Sequence, residues 1–402
     1  MNKFDFDKPI DRSGTQALKF IALDQDPAKK DIIPLWVADM DFPSPTEISE
    51  AVQKRAAHPI YGYTRPAVDY FDVLSTWHAG RYGLDLKAED FLSGPGTVAS
   101  MGITIRALTK IGDGVLIFTP VYGPFFTMIK LNGRTVIEVP MTLDAGGRYS
   151  FSEKNVEDAL DAAAAKGISV PLIMFCSPHN PGGMVWRCEE LAMLLEIARR
   201  HDMKILSDEI HRDFVFPPLK FTSIMAFPEH KERILAMSAA NKTFNLGGLH
   251  VSHFIVKDKT LSSVIRQEIN ACDGGGTEIF AQVATETAYR SCAYWIDALL
   301  PYLKTSIDEA VSFINTEIPG LKAYTPEGTY LFWVDAKSLI KKAGLSGDIE
   351  LGKKLESQAR VKCSEGANFG DHGAGFIRIN AACPRSYLME GLHRIRNFAL
   401  SL

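Results

Sequence analysis

Short apolar runs alternate with stretches of helical spacing through the middle of the chain. The runs are almost continuously apolar, which is typical of strands covered on both faces of a sheet. They are GVLIFTP (114–120), TVIEVP (135–140), VPLIMFCS (170–177), MKILSDE (203–209), RILAMSA (233–239) and HVSHFIV (250–256). Apolar positions at helical spacing lie between them, at 98–110 and 189–201. This alternation predicts an α/β fold with a mostly parallel sheet.

The last third of the chain has a different pattern. Two helical stretches, at about 259–271 and 278–316, lead into shorter predicted strands in LKAYTPEGTYLFWVD, VKCSEG and GFIRINAA, and then into a last helix from about 384. This pattern predicts a smaller α+β domain. The first forty-odd residues hold no complete βαβ unit, so we expect them to pack with the small domain and the mouth of the site. The predicted division is an N-terminal segment at 1–45, a large domain at 46–285 and a small domain at 286–402.

Composition excludes several classes of protein. The 402 residues are 46% hydrophobic and 23% charged, as in ordinary globular proteins. A net charge of −4 offers no basic excess for nucleic acid, and no apolar run reaches the roughly 18 residues of a membrane-spanning helix. The charged start MNKFDFDKPIDRSG does not resemble a signal peptide, so we expect a cytoplasmic protein. The six cysteines form no C-x-x-C pair and are expected to be buried thiols, with no metal site.

Polar residues follow the predicted strands at the point where each strand ends. In open α/β sheets, ligands bind outside the carboxyl ends of the strands. Because these ends meet at one edge, we expect the residues that follow them to converge. They are Tyr122 after GVLIF, Asn180 after VPLIMFCS, Asp208 and His211 after MKIL, and Ser238 and Lys242 after RILAM. A further run, DFLSG, is followed by PGTVAS, which opens a helix.

The chemistry of this set suits one cofactor, pyridoxal 5′-phosphate (PLP). A helix N-terminus with a nearby hydroxyl, here that of Ser238, accommodates a phosphate. The amine of Lys242 can form a Schiff base, and the carboxylate of Asp208 can keep a pyridine nitrogen protonated. The amide of Asn180 can donate to a phenolate oxygen, and the ring of Tyr122 can stack on a planar cofactor.

At this point the sequence resembles a known superfamily. GPGTVAS, VYGPF, SPHNPGG, SDEIH, SAANKTFNLGGLH and FIRINAACPR occur in that order, with 28 residues from Asn180 to Asp208 and 34 from Asp208 to Lys242. In these motifs the chain resembles the fold-type I PLP enzymes of the class I/II aminotransferase superfamily, over about residues 30–400. The resemblance implies a large PLP-binding domain, with a seven-stranded, mostly parallel sheet between helices, and a smaller α+β domain.

Two further stretches narrow the resemblance. IPLWVADMDFPSP (33–45) and HPIYGYTRP (58–66) are similar to the cystathionine β-lyase group, also called the C–S lyase or MalY/PatB-like group. This group implies α,β-elimination on cysteine S-conjugates such as L-cystathionine, which yields a thiol (homocysteine), pyruvate and ammonia. An aminotransferase of the same superfamily and a PLP-binding regulatory protein remain as alternatives. The sequence does not specify the physiological conjugate or the pathway.

The resemblance implies roles around the cofactor ring. Lys242 would bind PLP covalently and later move the substrate's α-proton. Asp208 would pair with the pyridine nitrogen and Tyr122 would stack over the ring, so these three are the implied catalytic residues. Asn180 would bond the 3′-oxygen of the ring. His211 lies where aminotransferases often carry a tyrosine that bonds the same oxygen, although a plain core histidine is the alternative.

The resemblance also implies a phosphate site that is shared between subunits. Thr97 and Val98 would offer backbone N–H groups to the phosphate, helped by the hydroxyl of Ser238. Tyr63 would reach the phosphate of the other subunit's cofactor, which requires a homodimer; interface packing is the alternative for Tyr63. Many members carry an arginine eight residues after the lysine as a phosphate ligand. Here that residue is His250, so the phosphate contacts depart from the aminotransferase pattern.

Substrate binding is the last implied role. Arg378 would bind the α-carboxylate of the substrate by a bidentate contact, with Asn180 and the backbone around Ala38 nearby. Because an unpaired arginine is costly within the apolar FIRIN strand, a structural ion pair is the alternative for Arg378. A helix cap or a loop anchor is the corresponding alternative for Asp208.

Overall fold

A computed structural model of the protein describes residues 4–20, 25–275 and 278–402. The strands, in chain order, are β1 (Ile33–Pro34), β2 (Phe91–Gly94), β3 (Gly114–Thr119), β4 (Thr135–Pro140), β5 (Thr142–Leu143), β6 (Tyr149–Ser150), β7 (Leu172–Cys176), β8 (Lys204–Asp208), β9 (Ile234–Ser238), β10 (Ser252–Ile255), β11 (Lys322–Ala323), β12 (Leu331–Asp335), β13 (Val361–Lys362), β14 (Ser364–Glu365) and β15 (Phe376–Asn380). The α-helices are Thr46–Ala56, Tyr70–Tyr82, Thr97–Leu108, Pro124–Leu131, Glu153–Ala164, Cys188–Arg200, Ala240–Thr243, Lys259–Ala271, Ile279–Ser291, Ala293–Glu317, Lys337–Lys342, Asp348–Lys354 and Arg385–Ser401.

Seven strands form one sheet in the order β2-β10-β9-β8-β7-β3-β4. β3 pairs in parallel with β4 and β7, β7 with β8, and β8 with β9. β10 alone is antiparallel, to both β9 and β2. The sheet is therefore mostly parallel and seven-stranded, which confirms the predicted fold. The carboxyl ends of β2, β3, β7, β8 and β9 meet at one edge.

Helices cover both faces of this sheet because its strands are apolar on both sides. Successive residues of a strand point to opposite faces. Val115 and Ile117 of β3 belong to one buried cluster, with side chains of helix Lys259–Ala271, whereas Leu116 and Phe118 belong to the other. Each fully buried side chain of this size stabilises the fold by about 1.5–3 kcal/mol. The sheet is thus a rigid base for the residues at its carboxyl edge.

The C-terminal part holds a second, antiparallel sheet of order β11-β12-β15-β14. Helices Ala293–Glu317 and Arg385–Ser401 pack against each other in the same part of the chain. The N-terminal segment joins it, because β1 pairs in parallel with β13 and places Ile33 opposite Val361. This pairing brings residues 35–39 beside the carboxyl edge of the large sheet.

Three details differ from the sequence predictions. The stretch 278–316 is two helices, because Cys292 (φ −112°, ψ 18°) leaves the helical conformation. The first of them, Ile279–Ser291, spans the predicted domain boundary at 285, so that division stays a prediction. His250 precedes β10 in a left-handed conformation (φ 49°) and is not part of the strand. Among the cysteines, Cys188 and Cys272 are exposed and not buried, as they lie at the ends of surface helices.

No helix in the described ranges is long and apolar enough to cross a membrane.

Candidate active site

Lys242 lies directly after β9, in the short helix Ala240–Thr243. Its Nζ donates a hydrogen bond to the carbonyl oxygen of Ala38 at 2.6 Å, so the N-terminal segment contacts the amine. Burial, and after it the positive charge of Arg378, lower the pKa of Lys242 to about 8. An amine with this pKa is partly neutral at physiological pH, and a neutral amine can act as a nucleophile or a base.

Asp208 is the last residue of β8, and its side chain is buried. Its carboxylate accepts one hydrogen bond from the described residues, from the N–H of Ile210 at 3.3 Å. A turn follows the strand, so Asp208 does not cap a helix, and its bond to Ile210 is a contact within this turn. Burial raises the pKa of Asp208 to about 7. A buried carboxylate with so few donors can still accept a strong, charge-assisted hydrogen bond.

Arg378 of β15 lies buried beside Asn180. Its Nη1 donates to Asn180 Oδ1 at 3.0 Å, and its Nη2 donates to the Trp36 carbonyl at 2.7 Å and to Ser364 Oγ at 3.2 Å. Its Nε has no hydrogen-bond partner in the part of the chain that the structure describes. These partners are neutral oxygens, so the structure does not bear out an ion pair as its role. Burial lowers the pKa of Arg378 to about 10, as expected for a guanidinium without a carboxylate partner.

The start of helix Thr97–Leu108 provides a polar cradle at the edge of the sheet. The first N–H groups of a helix have no acceptor within it, and no side chain caps this helix. Gly96 precedes it with φ 102°, a conformation that favours glycine. Ser238 is fully buried, and its Oγ has no hydrogen-bond partner among the described residues. The backbone of His250 passes 3.5 Å from the position that a Cβ on Gly96 would take, while its side chain is exposed.

Two aromatic side chains and a histidine lie near Arg378. His211 is buried, its Nδ1 lacks a partner within the described ranges, and burial lowers its pKa so that the ring is neutral. Its ring lies edge-on to that of Tyr330, with centroids 5.8 Å apart. Tyr122 is half-buried, and burial raises its pKa.

Tyr63 is fully exposed to solvent at the surface of its own chain. None of the described residues holds its hydroxyl by a hydrogen bond. The residue therefore does not belong to the site of the chain that carries it, and its role toward a second subunit stays a prediction.

The structure adds residues that the sequence motifs did not single out. Tyr330 donates its hydroxyl to the Ala38 carbonyl at 3.0 Å. Asn380 donates to the carbonyls of Val37 and Asp39 at 2.6 and 2.7 Å. Asn380 is two residues after Arg378 in the FIRIN strand, so strand alternation places both on one face, and this signal was available in the sequence.

Nearly the whole chain matches one protein family. The profile of the family described as Aminotransferase class I and II matches residues 30–395. The chain belongs to this family. Cystathionine beta-lyase PatB of Bacillus subtilis (strain 168) is 35% identical over 393 residues, which cover 98% of this chain and 99% of that protein.

Two solved structures are similar to this member of the family over 99% of its length. One is cystalysin from Treponema denticola, which contains a pyridoxal 5′-phosphate cofactor; it has a TM-score of 0.91, 31% identity and 99% coverage of that chain. The other is the PLP-bound C–S lyase from Staphylococcus hominis, with a TM-score of 0.90, 29% identity and 98% coverage of that chain. The fold and the length of the protein therefore agree with these enzymes from end to end.

Proposed function

We propose that this protein is a PLP-dependent carbon–sulfur β-lyase. It would release a thiol, pyruvate and ammonia from cysteine S-conjugates such as L-cystathionine. The proposal rests on three groups that lie together at the edge of the sheet. Lys242 has an amine of lowered pKa, the carboxylate of Asp208 accepts one hydrogen bond from the described residues, and Arg378 has no carboxylate partner among them. Similarity to PatB, cystalysin and a C–S lyase supports elimination as the reaction.

The side chains at this edge fit PLP at both of its ends. The unpaired, buried Oγ of Ser238 and the uncapped helix that begins at Thr97 suit the phosphate. At the ring end, Asp208 has room to accept a hydrogen bond from the pyridine nitrogen. The Nδ2 of Asn180 donates to none of the described residues, so it can donate to the ring oxygen. When bound, PLP supplies an electron sink that stabilises negative charge at the substrate's α-carbon.

Lys242 and Asp208 would carry the proton transfers. Lys242 would hold the cofactor through its Nζ. In its free form this amine would take the α-proton of the substrate, while Asp208 would hold a proton at the ring nitrogen. The electrons left at the α-carbon would form a Cα–Cβ double bond as the Cβ–S bond breaks, and the electron pair of that bond would leave with the sulfur as a thiolate. The released 2-aminoacrylate consumes one water to give pyruvate and ammonia.

Arg378 would orient the substrate. A guanidinium presents two parallel N–H donors to a carboxylate, and Asn180 holds one end of this guanidinium in place at 3.0 Å. The N–H groups of Ala38 and its neighbours donate to no described residue, so they can join Arg378 in binding the α-carboxylate. Tyr122 would stack on the ring and limit access of water.

The proposal includes a homodimer with shared active sites. Full exposure of Tyr63, next to the exposed apolar side chains of Ile60, Tyr61 and Val68, supports a partner on this surface. The hydroxyl of Tyr63 would then reach the phosphate of the partner's cofactor. The cytoplasmic location remains a prediction from sequence.

The decisive experiment is incubation of the purified protein with L-cystathionine in the absence of any keto acid. Formation of homocysteine and pyruvate at catalytic rates is the expected result. Lys242→Ala should abolish it and lose the borohydride-reducible link to PLP, whereas the exposed Lys259→Ala should change neither. If no thiol appears but an added keto acid is transaminated, the protein is an aminotransferase and the proposed function is wrong.

A further inference from the structure

Every carbonyl oxygen of the segment Trp36–Asp39 accepts a hydrogen bond from a side chain. The Trp36 oxygen accepts from Arg378 and, at 3.0 Å, from Ser364. The Ala38 oxygen accepts from Lys242 Nζ at 2.6 Å and from the hydroxyl of Tyr330 at 3.0 Å. Side chains of the catalytic set and of the small sheet thus hold this segment, although it has no regular secondary structure.

Asn380 makes the two bonds that bracket Ala38. Its Nδ2 donates to the Val37 oxygen at 2.6 Å and to the Asp39 oxygen at 2.7 Å, so both amide hydrogens are used. The orientation of the amide is fixed, because Oδ1 accepts the N–H of Ala382 at 2.8 Å. Asn380 is fully buried, and its own N–H donates to the Leu35 oxygen at 3.0 Å.

The hydrogen bonds to the carbonyl oxygens of this segment also fix where its N–H groups lie. With their oxygens engaged, the N–H groups of Val37, Ala38 and Asp39 have no acceptor among the described residues. Asn380 also shares its strand face with Arg378, two residues before it. Strand β15 therefore supplies the guanidinium of Arg378 and also the side chain of Asn380, which holds the backbone beside this guanidinium.

We propose that Asn380 is a positioning residue of the active site, which aims the Ala38 carbonyl at Lys242 and the free N–H groups of the segment at the α-carboxylate of the substrate. The inference rests on the proposed function, since it takes an α-amino acid as substrate. Asn380 touches neither substrate nor cofactor, and acts only through the backbone at 37–39.

The test compares binding of L-alanine with that of ethylamine, which is L-alanine without its carboxylate. Both are followed by the absorption change of the PLP-loaded enzyme. Asn380→Ala should weaken L-alanine binding by about tenfold, the loss of one to two hydrogen bonds, and change ethylamine binding less than about twofold. Asn380→Ser, which keeps one donor, should give an intermediate loss and serves if the alanine variant does not fold.

A second readout uses the cofactor-free protein, so it does not depend on activity. The rate of PLP uptake follows the neutral form of the Lys242 amine. When the Ala38 oxygen is no longer aimed at Nζ, the ammonium form loses an acceptor, and the midpoint of uptake against pH should fall by about half a unit or more.

Asn315→Ala is the matched control. Asn315 of helix Ala293–Glu317 also holds backbone with both ends of its amide, at Ala323 of the small sheet (3.1 and 2.8 Å), and its described hydrogen bonds involve neither Lys242 nor residues 36–39. It should lower thermal stability only. If Asn380→Ala behaves like Asn315→Ala, with the alanine-to-ethylamine ratio and the uptake midpoint unchanged, the positioning role is refuted. Neither readout requires elimination, so a wild-type enzyme that releases no thiol would refute the proposed function without deciding this test.

Discussion

Residues 207–213 contain two sets of buried polar side chains that differ in the number of their hydrogen bonds. Asp208 and His211 belong to the candidate active site, and Glu209 and Asp213 belong to the second set. Asp208 and Glu209 are adjacent, and burial raises the pKa of each to about 7. Glu209 accepts from Ser223 Oγ at 2.7 and 2.9 Å, from the N–H of Ile224 at 2.9 Å and from Ser207 Oγ at 3.2 Å. Asp208 accepts a single bond at 3.3 Å.

The same contrast holds for the neighbouring residues. Asp213 accepts from Thr243 Oγ1 at 2.6 Å and from the hydroxyl of Tyr82, whereas His211 Nδ1 has no partner among the described residues. Arg212 is an exception. It lies 5.3 Å from the centroid of the Tyr82 ring and near the carboxylates of Glu209 and Asp213, but its terminal nitrogens have no hydrogen-bond partner among the described residues. In this segment the bonded carboxylates of Glu209 and Asp213 would maintain the fold, and the open groups of Asp208 and His211 would mark the place of a ligand.

The largest expected effect separates the two adjacent carboxylates. Asp208→Asn should lower the rate of elimination by about a thousandfold, because the ring nitrogen loses its charged partner, and should leave thermal stability equal or higher. Glu209→Gln should change the rate only a few-fold and cost about 1–3 kcal/mol in the free energy of unfolding, since its bonded neighbours lose an acceptor. Pyruvate release and urea melts measure both. Similar rate losses in the two variants would show that the difference in hydrogen bonding between Asp208 and Glu209 does not identify the carboxylate that takes part in catalysis.

Two buried arginines, Arg378 and Arg212, give the next test. Arg378→Met should raise KM for L-cystathionine by about a hundredfold, as expected for loss of a charge-assisted bidentate contact, while binding of an amine without a carboxylate should change little. Arg212→Met should instead lower thermal stability, because Glu209 and Asp213 would lose the positive charge between them. An equal loss of affinity for substrates with and without the carboxylate would contradict the role of Arg378.

Sequence patterns alone predicted the large sheet and the residues at its edge. Apolar runs identify buried strands locally, and the rule for parallel strand ends then gathers Tyr122, Asn180, Asp208 and Lys242 without knowledge of any long-range contact. The chemistry of these side chains indicated PLP as the cofactor, and the family motifs agreed with it. This part of the site depends on information within a few residues of each strand.

The sequence predicted that the N-terminal segment packs with the small domain, but the individual contacts between this segment and the small sheet could not be predicted in this way. Asn380 and Val37 lie 343 residues apart in sequence, and no local pattern indicates that β15 approaches 36–39. The bonding state of a buried group is equally hidden, because Asp208 and Glu209 are neighbouring acids and only the positions of Ser207, Ser223 and Ile224 distinguish them.

The pH dependence of stability should give a smaller effect, which again distinguishes Asp208 from Glu209. Both carboxylates have folded pKa values near 7, above their ordinary values near 4. Their contribution to stability is therefore complete below about pH 4 and is lost as the pH rises through about 7. In thermal melts of the cofactor-free protein, Asp208→Asn and Glu209→Gln should each remove part of this loss. PLP should remove only the part due to Asp208, because it supplies a positive partner there. If PLP reduces the pH dependence of stability in Asp208→Asn as much as in the wild type, Asp208 is not the residue that pairs with the cofactor.

The smallest effect should come from two buried serines whose hydroxyls differ only in their partners. Ser238 Oγ has no hydrogen-bond partner in the part of the chain that the structure describes, and Ser223 Oγ donates to Glu209. Ser238→Ala removes an unsatisfied hydroxyl, so the cofactor-free protein should gain up to about 1 kcal/mol in its free energy of unfolding, while affinity for PLP should fall about five- to tenfold. Ser223→Ala should lose about 1–3 kcal/mol with unchanged PLP affinity, because both oxygens of Glu209 lose the hydrogen bond from this hydroxyl. Urea melts and PLP titrations of the cofactor-free variants give both numbers. The opposite signs in stability are the informative result, because a hydroxyl that only fills space would destabilise the protein at either position when it is removed.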